Sequence, residues 1–157
     1  HQLHRRQRQM CIRDRNPAPA QPLGENILKL CDFVTPNEIE AEQITGTPVK
    51  SINDAEIAAG KLLEKGASAA VITLGEQGAL FKDNNQIIHQ PSYEVGPVVE
   101  TTGAGDAFNG GLAVALAEEM PIDKALRFAC ATASISVTRQ GTAPSMPDRH
   151  EIDTLIK

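Results

Sequence analysis

The stretch Thr101-Thr102-Gly103-Ala104-Gly105-Asp106-Ala107-Phe108 constrains this chain more than any other. An extended apolar run, Val95 to Val99, precedes it, and an alanine-rich helical pattern from Asp106 to about Glu118 follows. The two glycines are therefore expected at a strand-to-helix turn. A helix start leaves backbone N–H groups without partners and carries the positive end of the helix dipole, while glycine removes side chains that would hold an anion off. Such a turn suits phosphate. Asp106 adds a carboxylate with two open readings: a helix cap, or a general base beside a transferring phosphoryl group.

Around this turn helices and strands alternate. Glu25 to Leu30 reads as a short helix and Asp32 to Thr35 as a short strand ended by Pro36. Asn37 has the chemistry to cap a helix running to Thr45, with Gly46 as its stop. Ser51 and Asp54 open a helix that ends at Gly66, and Ala69 to Leu74 is apolar as a buried parallel strand requires. Ala79–Lys82 and Gln86–Gln90 flank Asp83-Asn84-Asn85 as a hairpin. Beyond the central turn, Pro121 separates a helix packed through Phe108, Leu112 and Leu116 from a second helix, Ile122 to about Val137. Asp148 with Glu151 opens a last helix, Arg149 to Ile156. This order predicts a doubly wound, mostly parallel α/β sheet, helices on both faces, with an antiparallel hairpin at its edge.

The 157 residues, 41% hydrophobic, supply one core, and without tryptophan and with 3% aromatics that core must be aliphatic. No apolar run is long enough to cross a bilayer, so no membrane partner is expected. Cys11, Cys31 and Cys130 lack metal-ligand spacing, which favours a reducing, cytoplasmic setting. His1 to Arg15 differs from the rest: five arginines against Asp14 make +4, and subtracting this from the total of −5 leaves −9 on Asn16 to Lys157. With no aromatic to stack on bases and no apolar face, this segment is read as non-native or disordered, contributes no strand, and implies no nucleic-acid partner. A Walker A loop is absent, so any ATP must be cradled differently.

Thr101 to Phe108 resembles the second signature of the ribokinase-type, or PfkB, carbohydrate kinases. Four further blocks stand in the family's order and approximate spacing: Asn16 to Ala20, Thr35 to Glu42, Ile72 to Gly75 with Gly78, and Val137 to Ser145. The resemblance covers Asn16 to Lys157 and corresponds to the C-terminal, nucleotide-binding part of a ribokinase-like three-layer α/β/α domain. It implies ATP-dependent phosphorylation of D-ribose at the 5-hydroxyl. Alternatives are another sugar or nucleoside kinase of the family, acting on fructose or 2-keto-3-deoxygluconate for example, or a non-catalytic nucleotide-binding module.

By the same resemblance Asp106 is the catalytic base that meets the sugar, and the backbone of Gly103, Ala104 and Gly105 forms the anion hole with it. ATP contacts are implied at Asn37, at Thr73, Leu74, Gly75, Glu76, Gln77 and Gly78, at Gly105 and Asp106, and at Cys130. Taken alone, Thr73 to Gly78 is an ordinary turn, Cys130 a core residue, and Asn37 with Glu40 a capped acidic helix start. The resemblance makes Asn37 and Glu40 an anchor for Mg²⁺, held largely through water. A monovalent cation, K⁺, is implied at Glu100, Thr102, Ser136, Arg139, Gly141 and Ser145, with Arg139 contributing its carbonyl; Glu100 stands where the family has Asp. The sugar site and lid belong to the family's other half. The isolated chain is therefore expected to be inactive, and the full-length enzyme to be a homodimer joined through that lid.

Overall fold

The computed structural model describes Asp14–Arg15 and residues 25–157. The described residues divide into two compact units: one holds those up to Leu74 together with Leu80–His89, the other Gly75–Ala79 with Gln90–Lys157.

The first unit is built on a five-stranded sheet whose strands lie in chain order: β1 (Asp14–Arg15), β2 (Phe33–Val34), β3 (Ala70–Thr73), β4 (Ala79–Lys82) and β5 (Ile87–Gln90). β1, β2 and β3 run parallel, with Arg15 opposite Val34 and Val34 opposite Ala70. Past β2, a parallel bridge joins Asn37 to Thr73, whose N–H donates to the Pro36 carbonyl at 3.0 Å. Only residues 83–86 connect β4 to β5, too few for a parallel crossover, so the pair is an antiparallel hairpin. Asp83 shapes its tip by accepting the N–H groups of Asn85 and Gln86.

Among the described residues this unit also holds α1 (Glu25–Leu28), α2 (Glu38–Thr45) and α3 (Ile52–Glu64). Ala55, Ala58, Ala59 and Leu62 fall on one face of α3 and pack with Ala41 of α2, Ala70 and Ile72 of β3, and Leu80 of β4. Ala70, Val71 and Ile72 are all fully buried. The unbroken apolar run of β3 thus reflects a strand covered on both faces. Phe33 and Phe81, with ring centroids 6.4 Å apart, supply the aromatic contact of an otherwise aliphatic unit.

The second unit packs α4 (Ala104–Ala117) on α5 (Ile122–Ser136) and α5 on α6 (Arg149–Leu155). Close approach of α4 and α5 depends on Gly111, where a Cβ would lie 2.7 Å from Thr132 Oγ1 and 3.1 Å from Ala129 Cα. Asp148 and Glu151 form a reciprocal capping box at the start of α6.

Two expectations are corrected. Val95 to Val99 is not a strand: Val95, Val98 and Val99 are exposed, and the segment is fixed instead by Val99 and Glu100, whose N–H groups donate to the Val137 carbonyl. Valine favours extended backbone, but a strand needs a neighbour to complete its ladder, and Gly96-Pro97 interrupts the run. Conversely, Asp14 and Arg15, which end the basic segment, do form a strand, because parallel pairing with Phe33 and Val34 uses backbone groups that any side chain leaves available. Residues 1–13 and the Asn16 to Ala20 block lie outside the described residues. Among the described residues no helix is long and apolar enough to cross a membrane.

Candidate active site

In the second unit, α4 begins two residues earlier than its apolar pattern suggests. Gly103 occupies the cap position in the left-handed region, φ 84°, and gives no side-chain cap bond. That conformation closes the turn: the Ala104 N–H donates to the Thr101 carbonyl at 3.1 Å, and the Ala107 N–H to the Gly103 carbonyl at 2.8 Å. The reading of Asp106 as the helix cap is therefore corrected, since Asp106 is the third helical residue. At the second and third positions the N–H groups of Gly105 and Asp106 have no acceptor within the helix. Both residues are exposed, and the Asp106 carboxylate stands beside them on the first turn.

Behind this turn sits the loop that follows α5. A Cβ on Gly103 would come within 3.1 Å of Thr142 Cγ2, so the glycine is seated directly against the loop. Glu100 Oε2 accepts the Gly141 N–H at 2.8 Å. That bond, then one from the Thr102 side chain, holds the Glu100 carboxyl below its usual range. Within the loop, Gly141 has φ 83°, and the buried Ser145 hydroxyl donates to the Thr142 carbonyl at 2.7 Å. The buried Ser136 hydroxyl donates to the Ala133 carbonyl. Arg139 turns its guanidinium onto Glu151 of α6, which lowers the Glu151 carboxyl and raises the arginine; its side chain is thereby committed away from any cation.

The expected nucleotide ledge is a single 3₁₀ turn, Gly75–Gln77, closed by the Gly78 N–H donating to the Gly75 carbonyl. Gly75, Glu76 and Gln77 are exposed, whereas Gly78 is buried. Gly78, at φ 90°, is needed because a Cβ there would collide with the Gln90 carbonyl oxygen. This glycine makes room for the protein's own backbone crossing. Ser92 Oγ then donates to the Glu76 carbonyl at 2.5 Å and fixes the turn from behind. Cys130 is 2% exposed, and its thiol, directed to the Gln90 carbonyl, is pushed up to about 12 by burial. It is a packed core thiol.

In the first unit, Asn37 and Glu40 form a reciprocal capping box, each side-chain oxygen accepting the other's backbone N–H at 2.9 Å. Glu40 is 7% exposed, and the Asn37–Thr73 bridge brings the box against the end of β3, just before Leu74. One carboxylate oxygen is thus engaged by the cap and the other is left for a water. That donor set fits an ion that retains most of its hydration, as Mg²⁺ does, and not a closed protein cage. Among the described residues no group of three or more His, Cys, Asp or Glu side chains could hold a metal.

Sequence reading missed the contacts of Ser92 with Glu76, Thr142 with Gly103 and Glu151 with Arg139, each between residues distant in the chain.

The pfkB family carbohydrate kinase profile matches residues 1–149. This chain belongs to that family. It is 44% identical over 138 residues to a ribokinase of Haemophilus influenzae, covering 87% of this chain and 44% of the relative. It is 40% identical over 142 residues to a deoxyribokinase of Salmonella typhi, covering 90% and 46%. Arabidopsis thaliana ribokinase, solved with ribose and ATP, superimposes with a TM-score of 0.84 at 35% identity, covering 87% of this chain and 44% of that one. Phosphofructokinase-2 of Escherichia coli, solved with potassium, gives 0.71 at 27% identity, covering 80% and 40%. The family's ribokinase-like α/β fold is thus the fold of this chain, which spans about half the length of the curated relatives it matches.

Proposed function

We propose that this chain is the ATP-binding and phosphoryl-transfer portion of a sugar kinase that phosphorylates D-ribose at its 5-hydroxyl. The observation that carries the reading is the Gly103 turn. It presents unpartnered N–H groups at Gly105 and Asp106 beside an exposed carboxylate, on a helix start whose dipole favours anions.

In this reading Asp106 accepts the proton of the sugar hydroxyl as its oxygen attacks the γ-phosphorus. The bond to the β,γ-bridging oxygen breaks and ADP leaves. The carboxylate is a weak base, but the hydroxyl acidifies as the new bond forms. N–H groups of the turn stabilise charge on the transferring oxygens; a preorganised donor of this kind contributes about 3–4 kcal/mol in other enzymes. The exposed Gly75–Gln77 turn takes the nucleotide, and Asn37 with Glu40 holds waters of Mg²⁺, which when bound neutralises phosphate charge.

Calorimetric titration of Mg²⁺-ATP into the chain, with ribose-dependent ADP formation measured after completing it with the remaining part of a ribokinase relative, tests this directly. Saturable ATP binding by the chain and ribose turnover by the completed enzyme are expected, with no turnover by the chain alone. Failure of the completed enzyme to phosphorylate any sugar overturns the reading. The deoxyribokinase relative supports 2-deoxyribose as a second substrate, to be compared with ribose, fructose and 2-keto-3-deoxygluconate in the same assay.

A further inference from the structure

Arg127, Cys130 and Ser134 stand three and four residues apart along α5, hence on one face of that helix. All three reach the segment that follows β5. The buried Ser134 hydroxyl oxygen accepts the Tyr93 N–H at 3.0 Å. The Cys130 thiol is directed to the Gln90 carbonyl at 3.8 Å, and Arg127 Nε lies 3.5 Å from the Tyr93 hydroxyl. The same segment meets the Gly75–Gln77 turn. Ser92 Oγ donates to the Glu76 carbonyl at 2.5 Å, and Gly78 leaves room for the Gln90 carbonyl oxygen. Two hydrogen bonds, one across 41 positions of the chain and one across 16, are thus joined in series through Ser92 and Tyr93.

We infer that residues 90–93 form a strap through which α5 sets the position of the Gly75–Gln77 turn, and that Ser92 and Ser134 are positioning residues for the nucleotide taken there. The role in binding rests on the nucleotide reading proposed above; the strap itself is a property of the chain's own contacts. A 3₁₀ turn of three residues, closed by the Gly78 N–H on the Gly75 carbonyl, has little stiffness of its own. Its residues are exposed, so packing adds little. Rigidity has to come from behind. Ser92 takes the Glu76 carbonyl, Ser134 fixes the backbone one residue after Ser92, and the fixed point is a helix whose Ala129, Cys130 and Ala131 are buried. A loose turn would have to be ordered by the ligand itself, and that ordering subtracts from affinity. A turn already held offers its backbone in one geometry.

Amide exchange at Gly78, whose N–H closes the turn, reads the strap in the full chain without ligand. Ser134→Ala is the decisive variant, because the Ser134 hydroxyl bonds Tyr93 and reaches the turn only through the strap. Ser92→Ala and Ser134→Ala are each expected to lower Gly78 protection about tenfold, the effect of about one lost hydrogen bond, while amides inside α5 stay within about twofold of wild type. Ser92→Thr keeps the hydroxyl and should restore protection. Unchanged Gly78 protection in Ser134→Ala, or a loss spread equally over α5, overturns the strap. Titration of Mg²⁺-ATP into the same variants tests the positioning role. Affinity is expected to fall about fivefold to tenfold in both alanine variants and to return in Ser92→Thr. In the completed enzyme the loss should appear in KM for ATP, with kcat and the KM for ribose within about twofold of wild type. A loosened turn with unchanged ATP affinity overturns the positioning role and leaves the nucleotide reading standing. No ATP binding by the wild-type chain instead overturns the nucleotide reading and the positioning role with it, while exchange at Gly78 still judges the strap.

Discussion

The backbone of Gly78 lies so close to the Gln90 carbonyl that a Cβ on Gly78 would collide with its oxygen and stand 2.7 Å from both Pro91 C and Ser92 N. All of these atoms belong to backbone, so none can move aside by changing rotamer. Gly46 is a useful contrast: it also has a positive φ, 69°, but a Cβ there would meet nothing within 4 Å. Gly46→Ala is expected to cost about 1–2 kcal/mol, the price of left-handed backbone alone. Gly78→Ala should add an overpacking cost of about 1–3 kcal/mol. Urea unfolding of both variants checks the difference; equal midpoints would show that the 90–92 segment is free to retreat.

Asp106→Asn keeps the shape of the first turn of α4 while removing the base. In the completed enzyme, turnover is expected to fall about 10²–10⁴-fold, with Mg²⁺-ATP affinity retained within a few-fold. Parallel loss of affinity and turnover would make Asp106 a binding residue and return the turn to a purely structural role.

Gly111→Ala places a methyl into the α4–α5 contact, 2.7 Å from Thr132 Oγ1 and 3.0 Å from its Cβ. A loss of about 1–3 kcal/mol is expected. Thr132→Ala in the same chain should restore part of it, because the hydroxyl is removed while the Ala129 backbone remains. Thermal unfolding of the two single variants and the double variant measures the coupling.

Burial raises the Cys130 thiol from 9.0 to about 12. The unfolded thiol ionises first as pH rises, so the folded state binds the proton longer. Stability from this group is present below about pH 9 and is lost as pH rises toward 12. Urea midpoints at pH 7 and pH 10 should therefore drop less in Cys130→Ala than in wild type. An identical drop would mean that the thiol is not desolvated in the fold.

Much of the framework was legible because its signals are local. Asn37 with Glu40, and Asp148 with Glu151, are three residues apart and cap the helices they precede, and Gly46 stops α2 as its position suggests. The hairpin was visible in the polar turn at 83–85, and β3 in its unbroken apolar run. Composition misled in two places. The valines of 95–99 share the local preferences of a strand, but no neighbouring strand takes them. Asp14 and Arg15 show no strand preference, yet their backbone is paired by β2.

The sequence by itself determined the alternation of helices and strands, their caps and stops, and the Gly-Ala-Gly-Asp turn, because short-range sterics and hydrogen bonds act within a few residues. Only the tertiary structure decided what each glycine is for and what stands behind the turn. Gly78 makes room for Gln90, Gly111 for Thr132, and Gly103 rests against Thr142, while Glu100 reaches Gly141. Those contacts join positions that chain folding alone brings within a few ångströms, and neither propensity nor periodicity carries information across that separation.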